Sequence, residues 1–254
     1  MSLHLIANTV GDAASGMQVV TNSHVAATKT GVENLKGGPR FLGFTTSVDR
    51  RRVAYVNTRG GLEANFMVAV GMDAHDMKEI NVLAYSTWTS TASSIFSTAS
   101  FGETLVGPFA RDWVVPLGAQ TNKQAFALHF ASPSYAKTLK KLYFGQSLEF
   151  PYVDERSPLR FRRMPVWGSQ VRYRDTYYRL WGEAELAVTN VTDAMKNAYY
   201  SLPMDDPVFF YDDSENSRYL PHKLWHCIII AEDIIQRADN AFDMTFKLGL
   251  LEDY

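Results

Sequence analysis

Toward the end of the chain Phe242, Met244, Phe246, Leu248 and Leu250 alternate with Asp243, Thr245, Lys247 and Gly249. Side chains on a strand point alternately to two faces, so this segment buries one face and wets the other. Related patterns predict strands at residues 52–57, 66–70 and 81–86. Another half-buried strand is expected where Phe126, Leu128 and Phe130 alternate with Ala127, His129 and Ala131. Further on, Leu180, Gly182, Ala184, Leu186 and Val188 share one strand face, and Trp181, Glu183 and Glu185 share the other. Residues 207–211 and 223–231 complete the strand candidates. One segment follows the helical period instead, with Val191, Met195, Ala198, Tyr199 and Leu202 on its apolar side. Asn190 or Thr192 caps it and Pro203 ends it.

Turn signals set the organisation. Gly11, Gly16, Gly31 and the Gly37-Gly38-Pro39 cluster break the first forty residues into short apolar pieces. Residues 86–100 are rich in Ser and Thr but carry Trp88, Ile95 and Phe96, which reads as strand plus loop rather than linker. Pro151, Pro158 and Pro165 punctuate a later stretch. Many short strands with a single helical pattern predict an all-β fold. We expect a jelly-roll-like β-sandwich over residues 1–148 and a β-barrel-like assembly domain with one short helix over 149–254. The transition falls between Gly145 and Pro151.

Composition narrows the function classes. A chain of 254 residues that is 46% hydrophobic and 20% charged can bury one large core or two ordinary ones. Aromatics reach 13%, which suits strands and contact surfaces. A net charge of −2 gives no basic field for nucleic acid. No run approaches the length of apolar residues that spans a bilayer. The first residues lack the cationic start and apolar core of a secretion signal, so a soluble, reducing setting is expected. Cys227 is the sole cysteine, which excludes an intramolecular disulfide; within Leu224–Ile230 it reads as a small buried hydrophobe.

Candidate chemistry is sparse. Asp73, His75 and Asp76 gather three ligand types, but between two strands such a cluster is more simply a turn. The GxSxG, HExxH, GxGxxG and P-loop patterns are absent, so no catalytic residue, metal or cofactor is expected. A glycosidase-type carboxylate pair needs closeness in space alone, and the sequence leaves that as a third reading. Arg160, Arg162 and Arg163 form a basic cluster in the Pro-punctuated stretch. Asp205, Asp206, Asp212, Asp213 and Glu215 form an acidic one. Each is simplest as solvated surface; together they suit an intersubunit contact between two different patches. Tyr85, Trp88 and Trp113 are the candidates for stacking on sugar rings.

The order of several segments resembles a family of tailed-bacteriophage tail proteins. The resemblance runs through Gly31-Val32-Glu33-Asn34-Leu35, the loop Lys36-Gly37-Gly38-Pro39, and Val70-Gly71-Met72-Asp73-Ala74-His75. It continues with Phe126-Ala127-Leu128-His129-Phe130, Lys140-Lys141-Leu142-Tyr143-Phe144-Gly145, Pro207-Val208-Phe209-Phe210-Tyr211-Asp212-Asp213 and the closing strand. It implies a distal tail or baseplate structural protein of the virion, assembled in the host cytoplasm. It further implies a homo-oligomeric ring of six copies in contact with other tail proteins, with no catalysis and no membrane insertion. Such proteins usually place the ring-forming barrel first, whereas the sandwich comes early here. That leaves two arrangements, a sandwich inserted into the barrel or a different tail component. The competing reading is a carbohydrate-binding module that contacts a host surface glycan.

Overall fold

The computed structural model describes residues 3–10, 18–21, 25–26, 44–45, 52–57, 59–71, 79–88, 99–106, 112–130, 138–139, 141–150, 160–163, 170–173, 176–203, 207–213 and 224–251. The chain forms two compact units, one of residues 9–145 and one of residues 1–8 together with 146–254. The first unit is therefore inserted into the second after Asn8. This corrects the continuous division at 148: the N-terminal strand belongs with the C-terminal half.

Strand β1 (Leu3–Asn8) opens the outer unit. The insert then contributes β2 (Gln18–Thr21), β3 (Val25–Ala26), β4 (Phe44–Thr45), β5 (Arg52–Val56), β6 (Leu62–Val70), β7 (Glu79–Tyr85) and β8 (Phe101–Val106). It continues with β9 (Trp113–Lys123), β10 (Ala125–Phe130) and β11 (Thr138–Leu139), and the chain leaves it along β12 (Lys141–Phe150). The outer unit resumes with β13 (Arg160–Arg163), β14 (Gln170–Tyr173), β15 (Thr176–Val191) and helix α1 (Asp193–Ser201). It ends with β16 (Val208–Asp212), β17 (Leu224–Ala238) and β18 (Ala241–Leu251). The described chain is all-β with one short helix, as its alternation predicts.

Two antiparallel layers pack face to face in the insert. One has the order β3-β2-β5-β10-β7-β8, and the other contains β6 between β9 and the first residues of β12. Between them lie Tyr55, Ile80, Val82, Phe126 and Leu128 from the first layer and Met67, Val115, Leu142 and Phe144 from the second, all buried. Phe126 stacks on Phe144 with ring centroids 5.2 Å apart, and the Tyr55 hydroxyl donates to the Leu142 carbonyl at 2.7 Å. A buried hydroxyl without an acceptor would cost about 1–3 kcal/mol, so that bond also sets the alignment of the layers.

The half-buried reading of the 126–130 strand needs correction. Ala125 and Ala127, on its second face, are fully buried with Ala54, Val56, Leu83 and Tyr85. The alternation there is large against small rather than apolar against polar. Small side chains on the second face admit further cover, so the central strands β5, β7 and β10 are buried on both sides.

In the outer unit the order is β13-β15-β18-β17-β16-β1, with β14 also on β15 and the end of β12 beside β1. One face buries Leu3, Leu5, Phe150, Leu186, Val188, Phe210, Cys227, Met244, Phe246 and Leu248, with Tyr199 of the helix against them. The Phe246 ring lies 5.8 Å from Phe150, 5.6 Å from Phe210 and 5.5 Å from Tyr199. Four strand intervals separate β12 from β18, which in a flat sheet would span about 19 Å. Rings in contact across that span mean the sheet curls around Phe246.

The curl stops short of a barrel, which corrects the barrel-like expectation. Register shifts put one extra residue in β15 between Leu180 and Gly182 and one in β17 between Ile229 and Ala231. Bulges of this kind bend strands and increase twist without supplying a closing partner. Among the described residues, β13 pairs only with β15. The bulge at Trp181 also moves Leu180 off the face of Ala184. A Cβ on Gly249 would stand 3.1 Å from Leu180, Ile228 and Ile230, which places Leu180 on the opposite side of the sheet from Phe246.

Thr192 is the helix cap, its Oγ1 accepting from the Met195 N–H at 3.2 Å. The β17–β18 turn supplies a second acceptor: Asn240 Oδ1 takes the Asp193 N–H at 2.7 Å. Replacing Phe246 by Ala should destabilise by about 3–5 kcal/mol, comparable with much of a domain's stability. Gly249→Ala should cost about 1–2 kcal/mol by overpacking against the three side chains around it. Urea denaturation followed by fluorescence measures both, and an unchanged midpoint for Phe246→Ala would remove it from the centre of the fold.

Candidate assembly surface

The arginine cluster lies on β13, the last strand of its sheet. Antiparallel register sets Arg160 opposite Glu185, Arg162 opposite Glu183 and Arg163 opposite Gly182. Lys247, the partner of Glu185 on the other side, also lies 3.8 Å from Glu183. The basic strand thus pairs with the strand that carries Glu183 and Glu185, a neighbour that sequence reasoning did not assign to it. The signal was present as Glu183 and Glu185 at alternate positions, but their partner depends on which strands meet.

The acidic cluster behaves differently from expectation. Asp212 is buried, 1% exposed, at the end of β16 opposite Leu3, so it is no surface acceptor for a neighbour's arginine. Asp213 sits 3.5 Å from His4 Nε2 within the same chain. Burial, and then the charges of Asp213 and Asp212, raise the Tyr211 pKa, so that hydroxyl keeps its proton beside them. Glu215, Asp205 and Asp206 lie outside the described residues, as do Asp73, His75 and Asp76. Among the described residues no three His, Cys, Asp or Glu side chains converge as a metal ion would require.

The aromatic trio is not a single platform. Tyr85 is 2% exposed, and Trp88 packs edge-on against its ring at a centroid distance of 5.1 Å. The Trp88 backbone N–H donates to Gln124 Oε1 at 2.7 Å, which holds the residue in place. Trp113 packs instead against the core between the two layers. Tyr85 is therefore cover for a sheet face rather than a sugar-stacking ring.

A surface that sequence reasoning missed lies on the second half of β17. Strand β16 pairs with Leu224–Cys227 only, and among the described residues no strand pairs with β17 beyond Cys227 on that side. From Ile230 to Ala238 every residue except Ile234 is exposed, including Ile230 at 40% and Ile235 at 45%. The opposite edge is held by β18 out to Ala238–Ala241. The Asn240 bond to the helix start and Lys196 Nζ 3.6 Å over the Phe242 ring fasten the tip of this hairpin. This edge is charged: Asp233 lies on it beside Glu232, which accepts the Tyr199 hydroxyl, with Asp239 and Asp243 at the tip. Its one cation, Arg237, is bound to Asp243 at 2.6 Å.

No known protein family, curated protein or solved structure matches this chain. The reading of its surface rests on its own geometry.

Trp88→Ala should lower stability by about 2 kcal/mol, less than a fully buried Trp because the ring is part-exposed. An unchanged melting temperature would restore Trp88 as a free stacking surface. Asn240→Ala should destabilise by about 1–2 kcal/mol, since Asn240 has a φ of 57° and its side chain caps the helix. Thermal unfolding reads the loss; a variant as stable as the parent would show the hairpin tip to be held by other contacts.

Proposed function

We propose that this protein is a structural subunit of a bacteriophage tail, a distal-tail or baseplate component that assembles with copies of itself and with other tail proteins. The observation that carries an assembly role is the free edge of β17. Over nine residues of strand, Ile230 to Ala238, the backbone groups of alternate residues on the side away from β18 have no strand partner among the described residues, and two isoleucines are exposed beside them. Such an edge templates pairing with another strand, and a protein that stays soluble must protect it or use it. Use in assembly accounts for its length and its continuity with a large apolar core. The tail assignment draws on the segment resemblance from Gly31 to the closing strand, which points to a ring in the virion. The glycan-binding reading has less support, because Tyr85 is covered and Trp113 packs inward.

Size-exclusion chromatography with light scattering, followed by negative-stain microscopy, tests the proposal. The expected result is a discrete ring or a stack of rings at micromolar concentration. A strict monomer overturns it, and a monomer retained on a host-glycan array transfers the function to the carbohydrate-binding alternative.

A further inference from the structure

We propose that the free edge of β17, from Ile230 to Ala238, is the docking site for β13 of a second copy of this chain. The pairing would set the Arg160–Arg163 strand beside Asp233 in a sheet continued from one subunit into the next. The inference deepens the assembly reading and rests on it, but it names the partner and the contact.

Three observations point to β13. Both strands have an unpaired side among the described residues: β13 ends its sheet, and β17 has no neighbour beyond Cys227 on the side away from β18. Main-chain hydrogen bonds across such a junction supply affinity whatever the side chains, and the side chains choose the partner. The charges are complementary as well. The distal hairpin carries four carboxylates; Glu232 accepts the Tyr199 hydroxyl and Asp243 is bound to Arg237, which leaves Asp233 and Asp239 as the charges facing outward, whereas β13 reads Arg-Phe-Arg-Arg. Lastly, the β17 edge is preorganised by the helix-capping bond of Asn240 and by the Lys196–Phe242 contact, so little ordering entropy opposes docking.

The same charges argue against β17 pairing with β17 of another copy. That arrangement would bring two net-acidic edges together, and like-charge juxtaposition is how interfaces reject a wrong partner. Joining two different edges of one chain gives a heterologous contact, which repeats from subunit to subunit and closes into a ring when the rotation allows.

Two single charge reversals and their mixture test the contact. Arg163→Glu is chosen because its register partner is Gly182, so the reversal sets no like charge against β15. Asp233→Lys is chosen because Asp233 is exposed and faces Thr245 in register. Circular dichroism and melting temperature confirm that each variant folds like the parent. Each alone should weaken assembly by roughly tenfold or more in light scattering. An equimolar mixture should recover it, because the intact β13 of one variant meets the intact β17 of the other, and the two reversed residues suit each other. A second measurement uses Arg163→Cys combined with Ile235→Cys, where oxidation should give a ladder of disulfide-linked copies that the single-cysteine variants do not form.

A parent that is monomeric overturns the assembly reading and this contact with it. A parent that assembles, with both variants assembling equally well and no disulfide ladder, overturns the β13–β17 contact and leaves the assembly reading standing. An effect of Asp233→Lys without any effect of Arg163→Glu also overturns it, since β17 would then meet something other than β13.

Discussion

The curl of the outer sheet around Phe246 is the constraint on which the rest of that unit depends. One ring on β18 touches aromatic rings from β12, β16 and the helix. Such contacts require distant strands of one sheet to bend toward each other, and the buried apolar area they create is what favours the bend. The helix covers the open side of that curl, capped by Thr192 at its start and by an asparagine from the hairpin turn. Phe246, the helix and the hairpin tip are consequently parts of one packing solution.

Curling without closure has a consequence for function. A closed barrel has no edges, whereas a curled open sheet keeps them. The bulges at Trp181 and Ile230 redirect β15 and β17, and β16 is too short to follow β17 beyond Cys227. The result is a strand buried over Trp225–Ile228 and exposed from Ile230 to Ala238 apart from Ile234, along one continuous backbone. The apolar start anchors the strand in the core, and β18 pairs with the remainder as far as Ala238.

The insert uses a different solution. Its central strands are covered on both faces, by Phe126, Phe144 and Tyr55 on one side and by Tyr85 and Trp88 on the other. Aromatics that read as potential ligand platforms are consumed in that cover. Many of the described aromatics therefore belong to two separate cores.

Much of the architecture was legible in the sequence, because period-two alternation acts locally. The last strand buries the five side chains its alternation selects, and the one helix among the described residues begins at the threonine that can cap it. The class of fold followed from these patterns, since strands with one apolar face must pack in layers. Residue positions in the candidate surface were half legible: three arginines in four residues mark β13, but nothing local shows that Glu183 and Glu185 face them. Bulges were invisible, because one extra residue leaves composition and average period unchanged while moving Leu180 to the other face. The burial of Asp212, the inclusion of the N-terminal strand in the C-terminal unit and the free edge of β17 were decided by tertiary structure alone. Each depends on which strand lies beside which, a non-local pairing between residues far apart in sequence, and periodicity along one strand carries no information about its neighbour.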